Sequence, residues 1–221
     1  MKGDVVVVEE HHRRAAAEIV PHLLDAIAAS ATRTTITVAG ESGSGKSETA
    51  LAVAERLAAD DVVAIVLGQD DYFVLPPTSN DRKRREDESW LGPHVEVRLD
   101  LLEQNLVDAI AGADTITKPS IDYDANSVTD EEVDLSGVDV VIAEGTYTSL
   151  LRNVDTRIFI DRNRLDTLEH RRKRNRGNEV DDPFVENVLK TEHKIIAGHK
   201  QLADFVITRD YDVVRVAGPP V

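Results

Sequence analysis

The sequence predicts an α/β fold, a three-layer α/β/α sandwich built around a mostly parallel sheet. Short apolar runs rich in β-branched residues recur along the chain, and segments of helical composition lie between them, which is the order of βαβ units. The runs are almost continuously apolar rather than alternating, which is typical of strands buried on both faces of a parallel sheet. The predicted strands are residues 5–8, 34–39, 62–67, 138–143, 157–160 and 205–208.

Size and composition limit the classes of protein to consider. A chain of 221 residues fits one domain or at most two. The longest apolar run, residues 62–67, is far shorter than the roughly 18 residues of a membrane-spanning helix. The N-terminus lacks the apolar region of a signal peptide, so we expect a cytoplasmic protein. The absence of cysteine excludes disulfides, thiolate chemistry and Cys-based metal sites.

The chain is strongly acidic, with 41 Asp and Glu residues against 26 Lys and Arg residues and a formal net charge of −15. A field of this sign repels nucleic acid and anionic membranes, so we expect neither as a partner. Any phosphate-bearing ligand must therefore be met by a local site of positive potential.

The first 32 residues precede the strand that carries the main motif. We interpret residues 1–32 as an N-terminal extension, a strand and a helix packed on the core of a domain that spans residues 33–221. Residues 15–29 have helical composition, and Pro21 is expected to kink that helix or to begin a second one. The stretch H-H-R-R at residues 11–14 is expected to be a solvated helix start rather than a metal or anion site.

A phosphate-binding motif follows the second predicted strand. Residues 40–47 read G-E-S-G-S-G-K-S and match the pattern G-x-x-x-x-G-K-[ST] in full. The motif opens a predicted helix at Lys46, the geometry in which loop amides and a helix N-terminus converge on an anion. Lys46 is expected to bridge the β- and γ-phosphates of a nucleoside triphosphate, and the Ser47 hydroxyl is expected to ligate Mg²⁺. The residues expected to hold the nucleotide are Gly40, Ser42, Gly43, Ser44, Gly45, Lys46, Ser47 and Glu48.

Acidic residues follow two further predicted strands, at the edge of the sheet where open α/β folds bind their ligands. Asp70 and Asp71 come just after the third predicted strand, and Glu144 ends the fourth. A carboxylate at Asp70 could accept the proton of an attacking hydroxyl or hold the water shell of a metal ion. Asp71 could equally cap a helix. The expected metal ligands are Ser47, Asp70 and Glu144, with Glu144 in the outer shell.

Two polar segments interrupt the apolar pattern. Residues 74–98 are rich in Pro, Ser, Asn and mixed charge, and we expect either a substrate loop or a solvated surface excursion. Residues 168–182 contain the run R-R-K-R-N-R-G, which we expect to be either a catalytic lid that stabilises the transferred phosphoryl group or a solvated helix face. Arg171 and Arg174 share one face of a helix at this spacing.

In this order the motifs resemble the uridine kinase and phosphoribulokinase family of P-loop small-molecule kinases, from about residue 34 to residue 208. Residues 69–73, Q-D-D-Y-F, resemble the family segment Q-D-S-F-Y and are closer still to the Q-D-D-F-F of nicotinamide riboside kinases. Residues 142–145, I-A-E-G, are similar to the family's V-x-E-G, and residues 203–207, A-D-F-V-I, to its A-D-V-I-I.

The resemblance implies a P-loop nucleoside-triphosphate-hydrolase fold and an ATP:alcohol phosphotransferase that moves the γ-phosphate of ATP to a hydroxyl of a small molecule, with Mg²⁺ as a cofactor. It places the family's catalytic base on Asp70, with Lys46, Arg171 and Arg174 as further catalytic groups and Arg176 in contact with ATP. It also implies a homo-oligomer.

The segments that form the family's nucleoside pocket differ here. The family's P-x-Y-D-F-x-x-H-S-R corresponds to P-S-I-D-Y-D-A-N-S-V at residues 119–128, and its N-F-D-x-P to S-W-L-G-P at residues 89–93. Loss of such polar partners changes specificity by orders of magnitude. We expect uridine or another riboside as the acceptor. The alternatives are pantothenate, a sugar phosphate or a sugar acid, or a nucleotide-binding regulator without transferase activity. The residues expected to contact the acceptor are Tyr72, Trp90, Asp122 and Asn126.

Overall fold

The computed structural model describes residues 6–168 and 182–216. Its strands are β1 (Thr34–Gly40), β2 (Ala64–Gly68), β3 (Thr115–Asp122), β4 (Ser127–Asp134), β5 (Val140–Gly145), β6 (Thr156–Ile160), β7 (Phe205–Ile207) and β8 (Val213–Arg215). Its helices are α1 (Glu10–Ile19), α2 (Leu24–Ala29), α3 (Lys46–Ala58), α4 (Pro77–Glu86), α5 (Leu99–Ile110) and α6 (Pro183–Ile196). Within the described residues, no helix is both long and apolar enough to cross a membrane.

The main sheet has six strands in the order β2-β5-β1-β6-β7-β8. The pairs β2–β5, β5–β1, β1–β6 and β6–β7 are parallel, and β8 runs antiparallel to β7. Helices cover both faces of the sheet, and β1 and β5 are buried at every residue. The predicted α/β fold with a mostly parallel sheet is therefore confirmed.

Neighbouring residues of the central strands contribute to two different cores. Val38 and Ile142 belong to a first core with α1 and α3, whereas Ala39 and Val141 belong to a second core with α5 and the end of α6. Because side chains alternate between the faces of a strand, a strand covered on both sides needs apolar residues at every position. This explains the continuous apolar runs in the sequence.

The N-terminal residues differ from the prediction in two respects. Residues 6–8 form no strand, and Val8 instead packs against the first core without joining the sheet. His12, predicted to lie in a solvated helix start, is only 2% exposed, and its Nδ1 accepts the Glu9 N–H at 3.0 Å. Pro21 does interrupt the helical segment, since a short 3-10 turn containing it separates α1 from α2.

A helix occupies much of the segment at residues 74–98 that the sequence assigned to a loop. Its first residue is Pro77, and proline suits the first position of a helix because it has no N–H to satisfy. The Thr78 N–H donates to Asn126 Oδ1 at 3.0 Å, so a residue from the turn between β3 and β4 caps α4. Two ion pairs at i, i+4 spacing involve side chains of the helix.

The β3–β4 hairpin forms a separate two-stranded antiparallel sheet that was not predicted. It is held to the turn after β2 by Asp71, whose carboxylate accepts the Ile121 N–H at 3.1 Å and pairs with Lys118 Nζ at 3.0 Å. The side chains of Asp71 and Lys118 are each 9% exposed. Asp71 thus anchors the hairpin rather than capping a helix.

Lys118→Met should destabilise the protein, because it leaves the Asp71 carboxylate buried without its cation. We expect the free energy of unfolding in urea to fall by about 3 kcal/mol. Lys200→Met is the matched control, since Lys200 pairs with Asp161 at the surface with both side chains about half exposed, and it should cost less than about 1 kcal/mol. Equal losses in the two variants would contradict the anchoring role.

Candidate active site

The phosphate-binding loop connects β1 to α3, and its path depends on glycine. Gly43 and Gly45 have φ angles of 74° and 97°, in the left-handed region that favours this residue. A Cβ at Gly40 would lie 2.8 Å from Ser44 Oγ and 3.0 Å from Ile160 O, so a side chain there would fill the inside of the loop. The loop therefore gathers its amides and the N-terminus of α3 at one edge of the sheet, an arrangement that suits a phosphate chain.

Strand register brings the polar ends of β1, β2 and β5 together. Gly68 of β2 pairs with Glu144 of β5, so Asp70 follows close to Glu144. At the start of α3, Ser47 Oγ donates to Glu144 Oε1 at 3.0 Å. The three expected metal ligands, Ser47, Asp70 and Glu144, thus line the same cleft.

The buried carboxyl group of Glu144 has too little positive charge near it to offset its burial. Burial raises its pKa to about 7, the negative charge of Asp70 acts in the same direction, and Lys46 opposes them. Hydroxyl and carboxylate oxygens are the ligands that Mg²⁺ prefers in proteins. In the adjoining loop the buried Ser44 Oγ has no hydrogen-bond partner. The residues present therefore fit a nucleotide with its Mg²⁺.

Gln69 fixes the chain at the end of β2. Its Oε1 accepts the Tyr147 N–H at 2.7 Å, and a Cβ at Gly145 would collide with the Gln69 side chain. The turn after β2 therefore packs tightly against the end of β5. As a result Asp70 is exposed and lines the cleft, whereas Tyr72 turns into the second core.

One cleft, of about 230 Å³, joins the phosphate-binding loop to a second set of residues. Its loop side is lined by Ser42, Gly43, Gly45, Lys46 and Ser47, and Asp70 and Glu144 also line it. We call the remaining lining residues the distal group. They are Phe73, Pro77, Asn80, Asp81, Arg84, Tyr123, Thr146 and Glu192.

A buried ionic cluster supports the distal group. Glu96 is fully buried and accepts hydrogen bonds from Arg84 Nε at 2.6 Å and Asn80 Nδ2 at 3.1 Å. Arg84 Nη2 also lies 3.9 Å from Glu192 Oε1. Burial raises the pKa of Glu192 to about 7, while the Arg84 guanidinium opposes this shift and the charge of Glu96 adds to it. Glu192 Oε2 is buried without a hydrogen-bond partner, which is uncommon for a buried polar atom.

The residues expected to contact the acceptor are placed elsewhere. Tyr72 is fully buried, and its hydroxyl accepts a hydrogen bond from an asparagine of α5 at 2.9 Å. Asp122 accepts a backbone N–H within the hairpin turn, and Asn126 caps α4. Trp90 Nε1 donates to Asn80 Oδ1 at 2.7 Å. None of the four lines the cleft, but Trp90 bonds to Asn80 and Asn126 caps α4, and both Asn80 and α4 contribute to its lining.

Of the expected nucleotide contacts, Gly40, Ser44 and Glu48 are buried and do not line the cleft. Arg171, Arg174 and Arg176 lie outside the described residues.

The residues on either side of that undescribed stretch are tied to the phosphate-binding loop. Glu41 Oε2 accepts the Arg164 N–H at 2.7 Å, and Glu41 Oε1 pairs with His193 Nδ1 of α6 at 2.5 Å. The backbone oxygen of Glu41 accepts a hydrogen bond from Lys46 Nζ at 3.0 Å. A single loop residue therefore contacts the chain before and after residues 169–181.

Sequence reasoning missed most of the distal group. Asn80 and Arg84 lie in residues 74–98, expected to be either a substrate loop or a solvated surface excursion, and Tyr123 lies in the segment at residues 119–128 that was compared with the family's nucleoside pocket, but none of the three was singled out. Glu192 carried a different signal. The buried positions of α6 are Val188, Leu189, Glu192 and Ile196, which follow helical periodicity with one acid on an otherwise apolar face. A charged residue at a core position is expected only where a partner or a ligand compensates it.

Comparisons with known proteins agree with this geometry. The sequence model of the phosphoribulokinase/uridine kinase family matches residues 35–213. The chain is 29% identical over 192 residues to the bifunctional alpha-galactosidase/sucrose kinase AgaSK of Mediterraneibacter gnavus, a match that covers 82% of this chain but only 20% of that protein. The chain thus spans about a fifth of this relative.

Two further matches cover most of both chains. The chain is 29% identical over 182 residues to a uridine kinase of Latilactobacillus sakei, covering 78% of this chain and 83% of the relative. Among solved structures, a candidate fructose transport system kinase from a Silicibacter species superposes with a TM-score of 0.66 at 20% identity, covering 82% of this chain and 94% of that one. The structural likeness shows a shared fold.

Glu192→Gln should flatten the pH dependence of stability. The pKa of this carboxyl is raised from 4.5 to about 7 in the folded protein, so between these values the native state holds a proton that the unfolded chain has released. The contribution of Glu192 to the free energy of unfolding is fully present below pH 4.5. It falls by roughly 3 kcal/mol as the pH rises to about 7.

Urea unfolding from pH 5 to pH 8 measures this effect. The stability of the variant relative to the wild type should increase with pH across that range. Glu144, whose pKa is also raised, is present in both proteins, so its contribution cancels in this difference. Glu55→Gln, at a largely exposed glutamate of α3, should follow the wild type. Parallel curves for Glu192→Gln and the wild type would contradict the prediction.

Proposed function

Because the chain belongs to the phosphoribulokinase/uridine kinase family and is a kinase, we propose that it transfers the γ-phosphate of ATP to a hydroxyl of a small, uncharged, polyhydroxylated acceptor, with a neutral sugar as the first candidate. The observation that carries the proposal is the cleft in which the phosphate-binding loop, the exposed Asp70 and the polar distal group meet.

In this proposal Asp70 is the catalytic base. The loop amides and Lys46 hold the triphosphate, and the acceptor hydroxyl lies against the Asp70 carboxylate. The acceptor oxygen forms a bond to the γ-phosphorus as the bond to the β,γ-bridging oxygen breaks, the hydroxyl proton passes to Asp70, and ADP leaves. Ser47 and Glu144 would hold Mg²⁺, which when bound neutralises charge on the phosphates.

The charges of the distal group support an uncharged acceptor. Asp81 and Glu192 line it together with the cation Arg84, which already faces Glu96 and Glu192. Asp81 is paired with Arg85 at 2.9 Å. A phosphate or carboxylate on the acceptor would therefore find no uncommitted cation among these described residues of the distal group. Hydroxyl groups, in contrast, can donate to the carboxylates and accept from Asn80. The two curated relatives are named for sucrose and uridine, both uncharged and hydroxylated.

A neutral sugar is favoured over uridine, the acceptor first expected from the sequence. Asp122 and Asn126, which occupy the segment that resembles the nucleoside pocket, are engaged in bonds within the protein. One observation keeps a riboside as the second candidate, because the Tyr123 ring is 44% exposed and lines the cleft, where it could stack on a base.

An acceptor screen tests the proposed function. Acceptor-dependent ADP release is measured with neutral mono- and disaccharides, uridine and other ribosides, pantothenate, sugar phosphates and sugar acids. We expect release with a neutral sugar or, for the second candidate, a riboside. Release only with a charged acceptor would contradict the assignment of acceptor class. MgATP binding by calorimetry with no release from a broad panel would identify a nucleotide-binding regulator instead.

Asp70→Asn should leave MgATP binding intact but lower turnover by roughly 10²- to 10⁴-fold, because the amide cannot take up the acceptor proton. Calorimetry and the ADP-release assay with the best acceptor measure the two effects. Asp161→Asn is the control, since Asp161 follows β6 and pairs with Lys200 at the surface. Wild-type turnover in Asp70→Asn would exclude Asp70 as the base.

A further inference from the structure

The phosphate-binding loop rests on side chains from distant parts of the chain. Tyr211, between β7 and β8, donates its hydroxyl proton to Ser44 O at 3.1 Å, and Arg162 Nη1 donates to the same hydroxyl at 2.7 Å. The rings of His11 and His12 in α1 pack on the Tyr211 ring with centroids 4.0 Å and 5.1 Å away. We call these four residues, His11, His12, Arg162 and Tyr211, the buttress.

The buttress contacts the loop directly at Gly45. A Cβ at this position would lie 2.6 Å from the Tyr211 hydroxyl and 2.9 Å from His12 Nε2. The φ angle of Gly45 is 97°, which also disfavours any other residue. The underside of the loop is therefore closed by one side chain from α1 and one from the segment before β8.

The hydrogen bond from Tyr211 determines which way a loop amide points. In a planar trans peptide the C=O and the N–H point in opposite directions, and the described residues contain no cis peptide. Because Ser44 O faces Tyr211, the Gly45 N–H faces away from the buttress. Gly45 lines the cleft on its other side, so this N–H is directed to where the phosphates would bind.

Two features of Tyr211 suit this task. Burial raises the pKa of its hydroxyl, although Arg162 acts against the shift, so the group keeps the proton that it donates to Ser44. Its φ angle of 63° is uncommon for a residue other than glycine. Such backbone strain persists where the surrounding contacts hold it, and it concentrates at functional sites.

We propose that His12 and Tyr211 are positioning residues for the nucleotide, which hold the Ser44–Gly45 peptide with its N–H toward the phosphates. The family match begins at residue 35, so α1 lies outside it, yet α1 supplies part of this support. The inference rests on the proposed use of ATP and adds a role for the N-terminal extension.

Tyr211→Phe tests the proposal by removing only the hydroxyl. The dissociation constant for MgATP, measured by calorimetry, should rise roughly three- to tenfold, which is the effect expected from losing the hydrogen bond that holds Ser44 O. Thr35→Val is the matched control, because it also removes a buried hydroxyl that both donates and accepts. The Thr35 hydroxyl lies 3.0 Å from Asn153 O and from Asp155 Oδ2 and accepts the Asp155 N–H, but it is at the opposite end of β1 from the loop. The control should lower the thermal midpoint without changing MgATP affinity.

His12→Asn provides a second, independent variant. Asparagine can still accept the Glu9 N–H but no longer reaches Gly45. The affinity of this single variant for MgATP should therefore also be lower than that of the wild type. His22→Asn, which alters the ring stacked on Phe205 away from the loop, should bind like the wild type. In the double variant of His12 and Tyr211 the losses should be less than multiplicative, because both residues support the same peptide.

The outcomes separate this inference from the proposed function. Wild-type protein that binds no MgATP would overturn the proposed function and this inference with it. Wild-type binding together with unchanged affinity in Tyr211→Phe and His12→Asn would overturn the buttress alone. A loss of affinity in Thr35→Val as large as in Tyr211→Phe would also overturn it, because the effect would then follow general stability.

Discussion

Parallel pairing of β2, β5 and β1 is the constraint on which the site depends. Parallel strands end at the same edge of a sheet, and the register that pairs Gly68 with Glu144 fixes how far each strand extends. The residues that follow the strands therefore meet without any long-range adjustment. Backbone hydrogen bonds between the strands place the phosphate-binding loop, Asp70 and Glu144 close together. Their side chains therefore line one cleft.

In the proposed function an acidic protein binds a polyanion with few cations, because positive potential is concentrated at the phosphate-binding loop. Loop amides and Lys46 supply positive potential on one side of the cleft, while carboxylates dominate elsewhere. Burial raises the pKa of Glu144 and Glu192, which means that both are poorly compensated without a ligand. In the proposed function these carboxylates favour a bound cation and hydroxyl donors as the occupants of the cleft.

Residues defined by local sequence were predictable, whereas those placed by distant contacts were not. The loop at residues 40–47 and the strands β1 and β5 follow from short motifs and apolar runs. The sequence did not reveal α4 because a cap from Asn126, far along the chain, supports its start. The residues predicted to contact the acceptor do not line the cleft for a related reason, since a family segment can be recognised while its side chains, such as that of Asp122, bond within the turn.

The attachment of the β3–β4 hairpin has a consequence for the evolution of such proteins. The hairpin is not part of the main sheet. Ile116 and Val133 of its strands pack into the second core with α5, and polar contacts with Asp71 and the start of α4 hold the end that carries its turn. Insertions or substitutions in its turn, next to Tyr123, can therefore reshape one wall of the cleft without altering the strands that carry the phosphate-binding loop. Divergence of acceptor choice among related chains can proceed through this one appendage while the nucleotide chemistry is inherited unchanged.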